Sequence, residues 1–414
     1  MNGFCLKMVI KECNMKKILP YILAISMVIA FLIGCEADNP PSVFDPDKIG
    51  EPTPEIMSII PSDSSLAGIG EITIIGRNFS PIAESNLVYF DKTRATVLSS
   101  SETEIKVKTP NIIGDSINIK IAVQQAYLFS NIKNYKLIAA VWEFGGFNEY
   151  DDAYALACDS DENLYVSIKG KKIIKVTPDG ERQVYSPDAG FDKASGMKMG
   201  PGGYLYFVNI LSYIFRVPPE GGKYEVFTAL PGGAFDLDFD VNGNLYCGGS
   251  GNAIYRVKQD KSNEVVAEYA NVYIRSVRVF NDYVYIAGEY TGTDPEAVKR
   301  GVWRNKILSA EGTLGENELV LNWDALFKKR LLSINFSADG EMYVGTDAPE
   351  AIVVFQEDGS YEGLYPGVIQ PESYALCWGN GPFLYVSRRG ENPAQKRVIK
   401  MNMLKNGAPY YGRQ

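Results

Sequence analysis

Hydrophobic and polar positions alternate in short runs through most of this chain, and clusters of Asp, Asn, Gly, Ser and Pro part the runs. Such runs read as strands and such clusters as turns. From about residue 139 onward the pattern repeats. In each repeat a hydrophobic–tyrosine pair closes a strand-like run: Leu164-Tyr165, Leu205-Tyr206, Leu245-Tyr246, Val284-Tyr285, Met342-Tyr343 and Leu384-Tyr385. Successive pairs are 41, 40, 39, 58 and 42 residues apart. A period of about 40 with strands in every unit predicts a β-propeller, here of six blades.

Each blade is expected to hold four strands. An inner strand leads through an Asp/Asn/Gly turn into a second strand ending at the Tyr. Ile254-Tyr255-Arg256-Val257 and its counterparts make the third strand, and segments such as 182–185 and 265–269 make the fourth. The last repeat ends after Val398-Ile399-Lys400-Met401 with no outer strand of its own. Val141-Trp142-Glu143-Phe144, ahead of the first blade, has the right character to supply it. Such closure ties the two ends of the ring and removes a free edge. Blade four is longer than the others. Its excess, around 291–315, is expected to follow the second strand and decorate one face.

Residues 53–138 read differently from the propeller of 139–414. Ile105/Val107 and Ile117/Ile119/Ile121/Val123 alternate with polar residues, as half-buried strands do, and turn clusters separate them at sandwich-like spacing. Gly76-Arg77-Asn78-Phe79 suits a strand-end turn that drops Phe79 into a core. With Ile59-Ile60-Pro61, Ile72-Thr73-Ile74-Ile75, Leu87-Val88-Tyr89-Phe90 and the closing Ser130 and Tyr135, the segment resembles an IPT/TIG domain. The resemblance implies an immunoglobulin-like sandwich that acts as a spacer or interaction module. The expected fold class is therefore all-β, a sandwich followed by a propeller.

Toward the start, Lys16 and Lys17 precede an apolar run over 18–33, interrupted by Pro20 and Ser26 and ending in Leu32-Ile33-Gly34-Cys35. This resembles a bacterial lipoprotein signal. It implies a signal peptide over 1–34, with Met15 as the true start and Cys35 as the acylated mature N-terminus. Several acyl chains together hold a protein on a membrane where one would not. The alternative, an uncleaved spanning helix, is disfavoured because the run is short against the usual ~20 residues. The stretch 35–52 is rich in Pro and acidic residues and reads as a flexible tether. Glu36 and Asp38 resemble acidic signals for surface display. The expected location is the cell envelope, at the outer membrane and exposed on the surface.

Composition narrows the chemistry. The net charge is −9 and no basic run appears, which argues against nucleic acid as a partner. The chain has no histidine. Ser-His-Asp and Cys-His mechanisms and His-ligated metals are excluded, leaving carboxylates, Lys, Tyr or an oxygen-ligated ion such as Ca²⁺ for any catalysis. Cys158, Cys247 and Cys377 fall in three separate blades and read as small buried residues.

The repeats resemble NHL repeats and the related regucalcin/gluconolactonase-type propellers. Enzymes of the latter type hold a divalent ion with Glu, Asn and Asp at the channel mouth. Glu149, Asp151, Asp152, Asp236, Asn335 and Glu372 can approach one rim here but do not reproduce that set. Asp238-Phe239-Asp240-Val241-Asn242-Gly243 begins like an EF-hand loop, yet Gly249 stands where a bidentate Glu is needed, so a hairpin turn is the reading. Counting nine residues back from each pair gives Ala155, Gly196, Asp236, Arg275, Ser333 and Ala375. Two residues on lie Ala157, Lys198, Asp238, Val277, Asn335 and Cys377. Asp236 with Arg275, and Lys198 with Asp238, are thus expected to pair on neighbouring blades near the axis, as structural ion pairs or as the floor of a ligand site. Tyr150, Tyr154, Phe191, Phe235, Tyr273 and Tyr374 gather in the segments entering the inner strands, an arrangement suited to stacking on sugar or peptide. Proteins of this combined type are similar to those found with surface glycan-acquisition systems. The expected function is non-catalytic binding of a glycan or protein ligand by a lipid-anchored envelope protein. The alternatives are a metal-dependent hydrolase or lactonase of the gluconolactonase type and a structural envelope component.

Overall fold

The computed structural model describes residues 50–390 and 392–413. The segment carrying Cys35 lies outside the described residues. Among the described residues, no helix is long and apolar enough to cross a membrane.

The first part is a two-sheet sandwich. One sheet runs Glu55–Ile60, Glu71–Arg77, Glu104–Lys108, Thr96–Ser100; the other runs Ser64–Leu66, Lys133–Ile138, Gly114–Val123, Asn86–Phe90, Thr93–Arg94. Period-two alternation sends Ile72, Ile74, Ile105, Val107, Ile119 and Ile121 inward to a common core. Fully burying each such side chain contributes roughly 1.5–3 kcal/mol. Gly76 is obligatory where two strands and a ring meet. A Cβ there would lie 2.0 Å from the Glu55 carbonyl oxygen and 2.3 Å from Phe79 Cζ. Asn78 then turns with φ 60 and Phe79 enters the core. The closing strand is fastened by two hydroxyls. Ser130 Oγ accepts from the Ile121 amide at 2.9 Å, and Tyr135 Oη donates to the Pro61 carbonyl at 3.0 Å.

The second part is a ring of six four-stranded antiparallel sheets. Blade three shows the plan: Asp236–Phe239, Leu245–Gly248, Ala253–Val257 and Asn263–Glu268. The hydrophobic–tyrosine pair opens the second strand rather than closing it, which corrects the expected order. Both members are buried, and their roles differ. Leu164, Leu205, Leu245, Val284 and Leu384 are wholly enclosed between blades. Each Tyr packs its ring in the core but must satisfy its hydroxyl. Tyr165 donates to Asp159 at 3.0 Å, Tyr246 to Asp240 at 3.1 Å and Tyr343 to Glu341 at 2.6 Å. Tyr385 reaches across to Glu162 of blade one at 3.1 Å. In these blades the acidic turn and the Tyr are therefore one unit. Burial, reinforced by these carboxylates, pushes the four phenols well above their ordinary range.

Blade six is completed from the far end of the propeller's sequence. Val141–Glu143 pairs antiparallel with Arg397–Asn402, in the register Val141↔Met401, Trp142↔Lys400 and Glu143↔Ile399. The missing outer strand is found where the sequence required it. Blade four differs from expectation. The excess is no simple insertion, because 291–315 contains the third strand, Arg300–Ile307, and the start of the fourth, Leu314–Asn322. Much of the extra length is in longer strands, and Trp323 begins a short helix, Trp323–Leu326.

Candidate functional site: the central channel

The inner strands stack side chains in layers around the axis. Register fixes which residue of each blade shares a layer. Ala155, Gly196, Asp236, Ser333 and Ala375 each sit opposite the residue three beyond the hydrophobic member of the pair. In blade four that place belongs to Ser276, opposite Ala287. Arg275 is one position earlier, in a bulge between Ile274 and Ser276. The frame slips because blade four turns on Asn281-Asp282, both with positive φ, between Phe280 and Tyr283. Between the equivalent paired residues Val279 and Val284 the connection is 280–283, one residue shorter than 240–244 or 337–341 in the neighbouring blades. Two residues of this kind between strands mark a tight hairpin, so the signal was present in the sequence.

The expected Asp236–Arg275 ion pair does not form. Asp236 is paired with Arg278 instead: Nη1 donates to Asp236 Oδ2 at 2.6 Å. The same oxygen accepts from Ser276 Oγ at 3.1 Å and from the Val277 amide at 3.0 Å. Room for this carboxylate comes from Gly196, where a Cβ would lie 2.4 Å from Asp236 Oδ1. The deeper layer, correctly framed, is Ala157, Lys198, Asp238, Arg278, Asn335 and Cys377. Lys198 Nζ stands 3.9 Å from Asp238 Oδ1, longer than a hydrogen bond. Asp238 accepts from the Phe239 and Val279 amides, each at 3.0 Å. All four charged groups are buried, and their formal charges cancel. Burial pushes the Lys198 ammonium below its ordinary range and Arg278 adds to this, while Asp238 and Asp236 oppose.

The lower end of the channel is closed by residues 403–413. Ala408 donates its amide to the Phe336 carbonyl at 2.9 Å, and Gly407 is pressed against Trp378 so tightly that a Cβ would lie 2.1 Å from it. Farther round the ring, Tyr411 packs on Phe239 with ring centroids 5.7 Å apart. Between them Tyr410 hydrogen-bonds the Cys158 carbonyl and lies under Lys198, whose Nζ is 4.7 Å from the ring centroid. Lys198 is therefore sealed from below.

The upper end is different. One position before the Asp236 layer, the blades contribute Tyr154, Ser195, Phe235, Arg275, Leu332 and Tyr374. Tyr154 and Tyr374 meet edge to face at 5.1 Å. Arg389 covers Tyr154 at 3.6 Å and reaches Tyr374 at 5.4 Å, and Lys193 lies 3.9 Å from the Tyr154 centroid. Arg275 sits over Tyr273 at 4.6 Å and Phe235 at 5.6 Å. Its nearest carboxylate is Glu289, at 3.7 Å. Of the other aromatics expected here, Tyr150 is exposed, while Phe191 packs against Phe207 and Phe215 within the blade-two core. Below this ring lies a recess of about 20 Å³, room for about one water, lined by Phe235, Asp236, Arg275, Arg278, Ser333 and Tyr374 among others.

The carboxylates expected at the rim do not converge on an ion. Asp151 is held by Arg182 at 2.9 Å, Glu372 by Arg330 at 2.5 Å, and Glu149 lies 3.6 Å from Arg397. Asp152 contacts three cations and Asp236 one. Asn335 spends its amide on the Leu376 carbonyl and its oxygen on the Phe336 amide. Among the described residues no group of three or more acidic or cysteine side chains can hold a metal. The residues present do not fit the calcium site that the gluconolactonase resemblance implies. The EF-hand-like stretch is a hairpin turn: Asp240 Oδ1 accepts from the Asn242 and Asn244 amides, each at 2.9 Å.

Residues 54–136 match the IPT/TIG domain model. No curated protein matches the chain in sequence. Among solved structures, an auxiliary nutrient binding protein from Bacteroides thetaiotaomicron aligns with TM-score 0.52 and 11% identity, covering 86% of this chain and 98% of that one. A protein of the same description from Bacteroides ovatus aligns with TM-score 0.49 and 13% identity, over 86% and 99%. A calcium-binding regucalcin from Agrobacterium tumefaciens gives 0.49 and 14%, over 62% of this chain and 92% of that one. At these identities the likeness is one of fold, and the fold is an IPT/TIG sandwich followed by a six-bladed β-propeller.

Proposed function

We propose that this protein is a binding protein of the cell envelope, anchored through lipidated Cys35 at the outer membrane, that takes up a glycan at the upper mouth of its propeller. The observation that supports this is the one-ended channel. Tyr154, Phe235, Tyr273 and Tyr374 gather at the upper mouth with Arg275, Arg389 and Lys193, while 403–413 close the lower end. Flat aromatic faces beside fixed donors suit a sugar ring, which presents C–H groups on its faces and hydroxyls at its edge. Catalysis is not favoured, because the carboxylates near the mouth are committed to cations and Lys198 is buried beneath them.

The purified full chain screened on a glycan array tests the reading. Retention of one glycan class, lost in Tyr374→Ala, is expected. No retained glycan, or retention indifferent to Tyr374, would refute it. The anchor is tested separately: Cys35→Ser should abolish lipid labelling and membrane retention, and unchanged labelling would exclude lipidation at Cys35.

A further inference from the structure

Resting on the reading that the upper mouth binds a saccharide, we infer that the saccharide carries a carboxylate, as uronic and sialic acids do. Two features of the mouth point to this class, and a third marks buried polar atoms below it that are left for a ligand hydroxyl or a water to meet.

The first is a local excess of positive charge. Lys193, Lys396 and Arg389 all converge on the single carboxylate of Asp152, at 2.5, 2.6 and 2.9 Å. None of the three has a second carboxylate within ion-pair distance among the described residues. Asp152 is ionised, with its pKa held down at about 2: burial opposes, but Lys193, Lys396 and Arg389 prevail. Three cations against one carboxylate leave an excess of two positive charges, in a chain whose net charge is −9. Surplus cations held at the mouth of an acidic protein focus potential on an incoming anion.

The second is the placing of Tyr374. Arg389 approaches it from blade six, and Arg275, from blade four, lines the same recess. Burial raises the Tyr374 phenol, while Arg389 and Arg275 pull it the other way. The Arg275 side chain is 34% exposed, and its contact with Glu289 at 3.7 Å is too long for a hydrogen bond. A guanidinium fixed by stacking and only loosely ion-paired to Glu289 is poised for a planar anion.

The third lies in the recess. Arg278 Nε and Ser333 Oγ are buried there without hydrogen-bond partners. Both are more than nine-tenths buried: the Arg278 side chain is 9% exposed and Ser333 4%. Buried polar atoms without partners are costly and are normally met by water or ligand. A sugar ring against Tyr374 would direct its carboxylate toward Arg275 and leave a hydroxyl or a water to meet Arg278 and Ser333.

The experiment is titration calorimetry of the full chain with trigalacturonic acid, N-acetylneuraminyl-lactose and glucuronyl oligosaccharides. The methyl esters of the same compounds and neutral oligosaccharides serve as controls. The acids are expected to bind at least about ten-fold more tightly than their esters, with affinity falling as salt rises. Arg275→Gln, at a half-exposed site that leaves Asp236–Arg278 intact, should lose the preference for acid over ester while retaining its thermal melting point. Equal binding of esters and neutral sugars, still sensitive to Tyr374→Ala, would overturn the carboxylate assignment and leave the binding face standing. Binding of no saccharide would overturn both.

Discussion

Replacing Asp236 by Ala should be among the most destabilising single changes in the propeller. Three donors would lose their acceptor: Arg278 Nη1 at 2.6 Å, Ser276 Oγ at 3.1 Å and the Val277 amide at 3.0 Å. Arg278 would remain buried, retaining only the Val277 carbonyl as a direct partner and the more distant attraction of Asp238. Leaving one member of a buried pair uncompensated costs about 3–5 kcal/mol. Arg278→Met should cost somewhat less, about 3 kcal/mol, since Asp236 keeps two of its donors. The double variant removes both charges, so its loss should stay near that of Asp236→Ala alone, implying a coupling of about 2–3 kcal/mol. Arg275→Met, at a half-exposed site, should cost less than about 1 kcal/mol and show no coupling to Asp236. Urea unfolding followed by tryptophan fluorescence suits the measurement. All four tryptophans, Trp142, Trp303, Trp323 and Trp378, lie in the propeller, so the sandwich is silent. A coupling below about 0.5 kcal/mol for Asp236 with Arg278, or a larger one with Arg275, would refute the assignment.

Acid should weaken the upper mouth. The pKa of Asp152, about 2, lies below the unfolded value of ~3.9, so its stabilisation is complete above that value and is lost as pH falls from about 4 toward 2. The loss is at most about 2 kcal/mol after solvent screening, and Asp152→Asn should flatten that limb of a pH–stability curve; an unchanged limb would count against the cluster. Replacing Val141-Trp142-Glu143 by Gly-Ser-Gly reopens blade six and strips Trp142 from Phe383, 5.9 Å away, and should lower Tm by about 5–10 °C. A shift under about 2 °C would mean that this strand does not hold the ring closed. Tyr410→Ala should cost about 2 kcal/mol and make Lys198 reactive to amine-modifying reagents at alkaline pH; continued protection of Lys198 would show that 403–413 do not seal the channel.

The architecture was legible because it is written in local terms that repeat. Alternation in 117–123 is period two whatever the rest of the chain does. The hydrophobic–tyrosine pairs recur because each fills one inter-blade space, and in four of the blades the Tyr also donates its hydroxyl to an acidic turn residue. The absence of an outer strand after Met401 was visible as a missing term in a series, and 141–144 was the spare segment of matching character. The position of the pair within its strand was less legible, since a buried run reads the same from either end.

What the sequence by itself determined was most of the composition of the layers: small residues at Ala155, Gly196 and Ala375, charges at Lys198, Asp236 and Asp238, aromatics at Tyr154, Phe235 and Tyr374. Which charges meet was decided only in the folded ring. Counting along the chain assumed equal turns, and the shorter connection at Asn281-Asp282 put Ser276 in place of Arg275 in the Asp236 layer and Arg278 in place of Val277 in the layer below, from which Arg278 reaches Asp236. The convergence of Lys193, Arg389 and Lys396 on Asp152 had no sequence signature at all. These residues come from segments as much as 244 positions apart, and only closure of the ring brings the last blade beside the first. Local pattern is set by short-range sterics and burial, whereas a charge finds its partner through register and closure, which are properties of the whole fold.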